Sequence, residues 1–156
     1  DACRWLDAAD NRMEGAQILI DSEAIDGSPA NIRAALEVPP PGDGFNGTGL
    51  VFHRHAANFP WVSQAMWFIE QMRRWNQVDG DINPATIAAA TCSTKVYREA
   101  AARIGAISPR HDHKTEGLHP GIWTLPLLSG PLKMGPDAFF DGAIYGTDGM
   151  RLEKTA

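Results

Sequence analysis

Eleven prolines divide this chain, and their positions limit what it can fold into more than any other feature. Proline locks φ at about −65° and has no backbone N–H, so it opens helices readily and stops them when it falls inside. Pro29 follows Ser28 and Pro84 follows Asn83, each pair a good helix start. Asn58-Phe59-Pro60 opens a longer helix reaching roughly Gln77. Pro39, Pro40 and Pro41 stop the helix begun at Ser28, and residues 39–49, with three prolines and four glycines, read as a loop and the expected internal boundary. Pro109, Pro120, Pro126, Pro131 and Pro136 deny residues 106–156 any long helix. That stretch still carries Leu118, Ile122, Trp123, Leu125, Leu127, Phe139 and Phe140, which predicts an ordered irregular tail wrapped on the rest.

Between these breaks the apolar spacing supplies the remaining elements. Trp5, Leu6, Ala9, Met13, Ala16 and Ile20 recur at near-helical spacing, with Asp10-Asn11 able to split the run and Asn11 to cap its second half. Residues 50–53 read as a short strand that places Val51, His53 and His55 on one face. Trp61, Ala65, Phe68, Met72 and Trp75 form an apolar stripe expected to face the core, with Arg73 and Arg74 in the last turns against the helix dipole. Ser93 or Thr94 should cap a helix that ends at Gly105. The expected fold class is α/β, mostly helical with short strands.

Composition narrows the function classes. A length of 156 residues is that of one domain, enough to bury a core. The net charge of −5 argues against direct nucleic-acid binding, which favours a basic surface. Charge is uneven: residues 1–48 hold three Arg and nine acids, whereas residues 49–105 hold six Lys/Arg and four acids. The longest uncharged apolar stretch, 121–131, is broken by proline and glycine and falls short of the ~20 residues of a membrane span. Cys3 and Cys92, far apart and outside any Cys-x-x-Cys, are expected as buried free thiols, with one long-range disulfide in an exported protein as the alternative. The chain starts at Asp1 within what already reads as helix, which points to a fragment.

The residues that carry chemistry are histidines. His53-Arg54-His55 and His111-Asp112-His113, with Glu116 and His119 nearby, are metal-ligand types, but neither pair has a further motif of defined spacing. His111 and His113 are expected to be exposed. No Gly-x-Ser-x-Gly elbow is present, Cys92 has no base beside it, and Asp79-Gly80-Asp81 reads as a turn. Gly42-Asp43-Gly44 and Gly47-Thr48-Gly49 lack a following Gly-Lys-Ser/Thr and read as turns, and Asn46-Gly47-Thr48 is a chance glycosylation triplet. No catalytic residue, metal or cofactor is expected. A metal-dependent enzyme using His53, His55 and the 111–119 cluster is the alternative from a different class. On chemistry alone, His53, Arg54 and His55 are candidates for holding an anion, since guanidinium matches planar oxyanions.

Four stretches in order then resemble one family. They are Cys3-Arg4-Trp5-Leu6 through Asn11-Arg12 and Ile18-Leu19; residues 52–61 with Ala65-Met66-Trp67-Phe68 and Met72-Arg73-Arg74-Trp75; Val96-Tyr97-Arg98-Glu99-Ala100-Ala101; and residues 134–142. Together they resemble the C-terminal region of the nitrate- and bicarbonate-binding proteins of ABC importers. The resemblance implies a type II periplasmic-binding fold, two α/β lobes closing on a small inorganic anion such as nitrate, bicarbonate or cyanate. It implies a non-catalytic receptor, periplasmic or anchored on the outer face of the inner membrane, that hands its anion to a membrane permease. Most residues gripping the anion are then expected before the stretch matched here. Some relatives look like cytoplasmic nitrate-responsive sensors that sequester an antitermination regulator, which is the alternative on the same scaffold.

Overall fold

The computed structural model of the protein describes residues 1–37, 49–127, 130–146 and the backbone of 151–152. The chain divides into two units, Asp1–Asn58 and Phe59–Ala156. The expected boundary at 39–49 lies outside the described residues except for Gly49, and the division falls between Asn58 and Phe59. The fold is mixed α/β, mostly helical, with two small antiparallel sheets.

The first unit contains α1 (Ala2–Leu6), a 3-10 turn at Ala9–Asn11, α2 (Arg12–Asp21) and α3 (Pro29–Glu37). The break falls at Asp10-Asn11, as the sequence suggests, but Asn11 does not cap α2. Its backbone is already helical, with φ −90° and ψ −11°, which turns the side chain away from the first N–H groups. Its Nδ2 donates instead to the Trp5 carbonyl at 2.9 Å, tying the break back onto α1. The start of α3 matches the sequence reading: the Asn31 N–H donates to Ser28 Oγ at 3.2 Å. Ala16 of α2 packs with Ile32 and Leu36 of α3, and Leu19, Ile20 and Phe52 close over them.

The second unit begins with three helices, α4 (Val62–Arg74), α5 (Pro84–Thr91) and α6 (Thr94–Arg103). Asn83 caps α5 by accepting the Thr86 N–H at 3.1 Å. Gly105, at φ +64°, ends α6: its own N–H reaches Ala102 O and that of Ala106 reaches Ala101 O, the paired bonds of a left-handed helix stop. Val62 and Met66 of α4 meet Ala88 of α5 in the core, flanked by Ala65, Ile69 and Cys92.

The apolar stripe expected on α4 is displaced. Phe68 is 60% exposed and Trp75 61%, so the Trp61–Trp75 spacing does not mark the core face. Trp61 is buried, but it is the extended residue before the helix (ψ 119°), and counting from it misphases the helix. The buried apolar row is Val62, Met66 and half-buried Ile69. A second row runs through Ser63, Trp67 and Gln71, one turn apart, and meets the C-terminal segment. Ser63 reaches Glu116, Trp67 stacks on Phe139 with centroids 5.0 Å apart, and Gln71 Nε2 reaches the Tyr145 hydroxyl at 3.4 Å.

That segment is held by short backbone pairings. β1 (Trp123–Leu125) and β2 (Leu132–Met134) form an antiparallel hairpin with Trp123 opposite Met134. β3 (Ile144–Tyr145) pairs with β4 (Arg151–Leu152), and Glu116 and Tyr145 exchange both backbone bonds, at 2.9 and 2.8 Å. Gly117, next to Glu116, has φ +85°, and any Cβ there would collide with the Ala143 carbonyl and the Phe139 ring. Gly117→Ala should therefore destabilise the second unit by about 2 kcal/mol or more in urea unfolding, whereas Gly121→Ala, with open space around its Cβ, should be near neutral.

Candidate functional site

Residues 50–56 form no strand. The backbone N–H groups of Phe52, His53 and Arg54 all donate to the Asp7 carboxylate, at 2.7, 3.0 and 2.8 Å. A strand turns successive N–H groups to opposite edges, so three consecutive donors on one carboxylate require the chain to curl. The curl continues into a 3-10 turn, Arg54–Ala56, in which His55 and Ala56 take φ +60° and +55°. Two left-handed non-glycine residues cost about 1–2 kcal/mol each, a strain that the Asp7 bonds offset. His53 and His55 therefore do not share the face that a strand would give them.

Electrostatics around this loop follow from Asp7, whose side chain is only 7% exposed. Burial pushes its carboxyl up, but the three N–H donors and the nearby Arg54 guanidinium (Nε 3.7 Å from Oδ2) outweigh burial and hold it below the usual carboxylate range. His53 moves down from its ordinary value, chiefly through burial and then through Arg4, with Asp7 pulling the other way. Burial thus favours its neutral form. Arg54 brings a fixed positive charge to the loop, and Asp7 faces it.

Arg12 was not singled out in the sequence. It is 1% exposed, its Nη2 donates to the Leu50 carbonyl at 2.5 Å, and its guanidinium lies 5.5 Å from the Phe52 ring centroid. Its Nε and Nη1 are buried with no hydrogen-bond partner among the described residues. No sequence motif marks it, because a helix arginine is ordinarily a solvated one.

In the second unit the histidines disperse. His111 is exposed and His113 is half-buried, correcting the expectation that both would be exposed. His119 stacks on Trp123, centroids 3.8 Å apart, with Nδ1 on Asp137. Among the described residues no group of three or more His, Cys, Asp or Glu side chains is placed to hold a metal ion. Cys3 and Cys92 are both free and half-buried. No described helix is long and apolar enough to cross a membrane.

What the second unit does gather is a buried ion cluster. Lys114, 8% exposed, places its ammonium on Glu116 Oε2 and, at 3.3 Å, on Asp137 Oδ2. Ser63 supports both partners: its hydroxyl donates to Glu116 Oε1 at 2.7 Å and accepts the Lys114 N–H at 3.1 Å. Asp137 Oδ1 accepts the His119 N–H at 2.8 Å. Beside the cluster, Arg98 clamps residues 109–112 to α6: Nε donates to Pro109 O at 2.7 Å, and Nη2 meets Asp112 Oδ1 at 2.7 Å. Burial raises the Asp112 carboxyl, but the Arg98 and Thr94 hydrogen bonds and the Arg98 charge bring it below its ordinary value.

Comparison of the chain with models of known protein families, with curated proteins and with solved structures finds no match.

Asp7 gives a clear test of the loop. Asp7→Ala leaves three amides without their acceptor and should cost about 2–4 kcal/mol in urea unfolding, with faster hydrogen exchange at Phe52, His53 and Arg54. Because the folded carboxyl is lowered, its contribution is complete above the unfolded value of about 3.9 and is lost as pH falls through the folded one. Wild-type stability should drop below about pH 4 more steeply than that of Asp7→Asn.

Proposed function

We propose that this chain is the C-terminal part of a non-catalytic receptor for a small inorganic anion, similar to the nitrate- and bicarbonate-binding proteins of ABC importers. On this reading it belongs to a type II periplasmic-binding fold, acts outside the inner membrane and passes its anion to a permease. Anion binding would shift the receptor toward a closed, permease-competent form.

The observation that carries the reading is where the four resembling segments lie. In the first unit, the segment around Trp5 to Leu19 supplies Asp7 and Arg12, which hold the start of the 52–61 segment. In the second, Phe59 of that same segment packs edge-on against Tyr97 at 5.2 Å and under the Arg98 guanidinium, both from the 96–101 segment. Trp67 meets Phe139 of the 134–142 segment. We therefore read the four segments as packing partners within their units. Arg12 adds a chemical argument: a buried guanidinium with two nitrogens that have no partner among the described residues is an environment that favours a compensating anion.

Calorimetry of the intact protein that contains this chain, titrated in turn with nitrate, bicarbonate and cyanate, tests the reading. One of the three should bind with a dissociation constant well below about 1 mM. Absence of saturable binding by all three would remove the receptor reading.

A further inference from the structure

A cavity of about 280 Å³ in the second unit is lined by Gln64, Trp67, Phe68, Lys114, Glu116, Asp137 and Phe139. Its polar groups are unevenly used. The Lys114 ammonium has three N–H groups. Glu116 and Asp137 take two, and the Trp61 ring centroid lies 6.0 Å from the same nitrogen, covering the third side. Lys114 therefore has no donor to spare, and the exposed Gln64 amide is a further side-chain donor in the lining. The acceptors are not spent: an ionised carboxylate offers about four lone-pair sites. Glu116 uses its oxygens on Ser63 and Lys114, and Asp137 uses its own on Lys114, the His119 N–H and the His119 ring. One positive and two negative side chains leave the three-residue centre with a formal charge of −1.

A partly aromatic cavity whose one ammonium is already paired, whose carboxylates keep open acceptors and whose charged centre is negative selects for a cation with an apolar body. We propose that this cavity binds a small organic ammonium, its N–H groups on Glu116 and Asp137 and its hydrocarbon part against Trp67, Phe68 and Phe139. Lys114 does not compete with such a ligand; it holds the two carboxylates side by side to receive it. The volume lies at the lower end of the range for ligand pockets, about 300 Å³ and upward, which suits an amine carrying one small ring or chain. The site lies wholly within the second unit and takes charge of the opposite sign from the proposed anion, so the two readings stand or fall separately.

The test is isothermal titration calorimetry of the intact protein that contains this chain with 2-phenylethylammonium, with phenylacetate as an anion of similar shape, and with 2-phenylethanol as a neutral one. The ammonium should bind saturably with a dissociation constant of about 1 mM or tighter, phenylacetate should not bind, and the alcohol should bind about tenfold more weakly or not at all. Glu116→Gln, which keeps the shape but removes the charge, should weaken ammonium binding about tenfold. Phe68→Ala spares the buried ion cluster, because Phe68 is 60% exposed. It should weaken binding about fivefold with unchanged circular dichroism. Equal binding of phenylacetate, no saturable heat from the ammonium, or undiminished affinity in Phe68→Ala with the fold intact would each overturn the proposal.

Discussion

The second unit depends on one buried ammonium. Lys114 is almost without water, and an ion in that position is tolerable only when its charge is matched and its hydrogens are placed. Glu116 and Asp137 match it, and the pairing brings residues 114–116 to Asp137, on the segment that follows β2. Ser63 anchors the same centre to the first turn of α4. From there the contacts run along the helix, through Trp67 on Phe139 and Gln71 on Tyr145. A segment that five prolines keep out of long helices is thereby tied to α4 by one polar centre and a row of three side chains, beside its own short backbone pairings.

The first unit solves a similar problem with the opposite charge. Residues 52–54 have no ladder partner, and the Asp7 carboxylate accepts their three N–H groups instead. Each unit thus uses a buried charge where an ordinary fold would use a strand. This also accounts for the left-handed pair at His55 and Ala56, since a chain wrapped around a point acceptor cannot keep a strand's φ and ψ.

What the sequence made legible was local. Ser28 before Pro29, Asn83 before Pro84 and the glycine stop at Gly105 each depend on partners within a few residues, and each is where propensity puts it. What it hid was paired over distance. Asp7 meets residues 45 to 47 positions away, and Ser63 meets Glu116 53 positions away, so no window of spacing contains either pair. The α4 stripe failed for a related reason: Trp61 sets no helical phase, while Ser63 and Gln71 look like surface residues until the segment they bind is in place. The histidines drew attention because imidazoles suggest metal chemistry, yet the structure brings together a lysine and two carboxylates, a combination with no sequence signature. The mixed α/β class and the starts of α3 and α5 were thus readable in advance, and the start of α4 and the candidate site were not.

The claim that Lys114 and its carboxylates form one coupled centre is tested most directly by a double-mutant cycle on Lys114→Met and Glu116→Gln, read as urea unfolding free energies. Lys114→Met strands Glu116 and Asp137, and Glu116→Gln leaves Lys114 to Asp137 alone. The double change loses the Lys114–Glu116 attraction only once, so the effects should fall short of additive by about 2 kcal/mol or more. Additivity to within about 0.5 kcal/mol would show two independent residues and contradict the account.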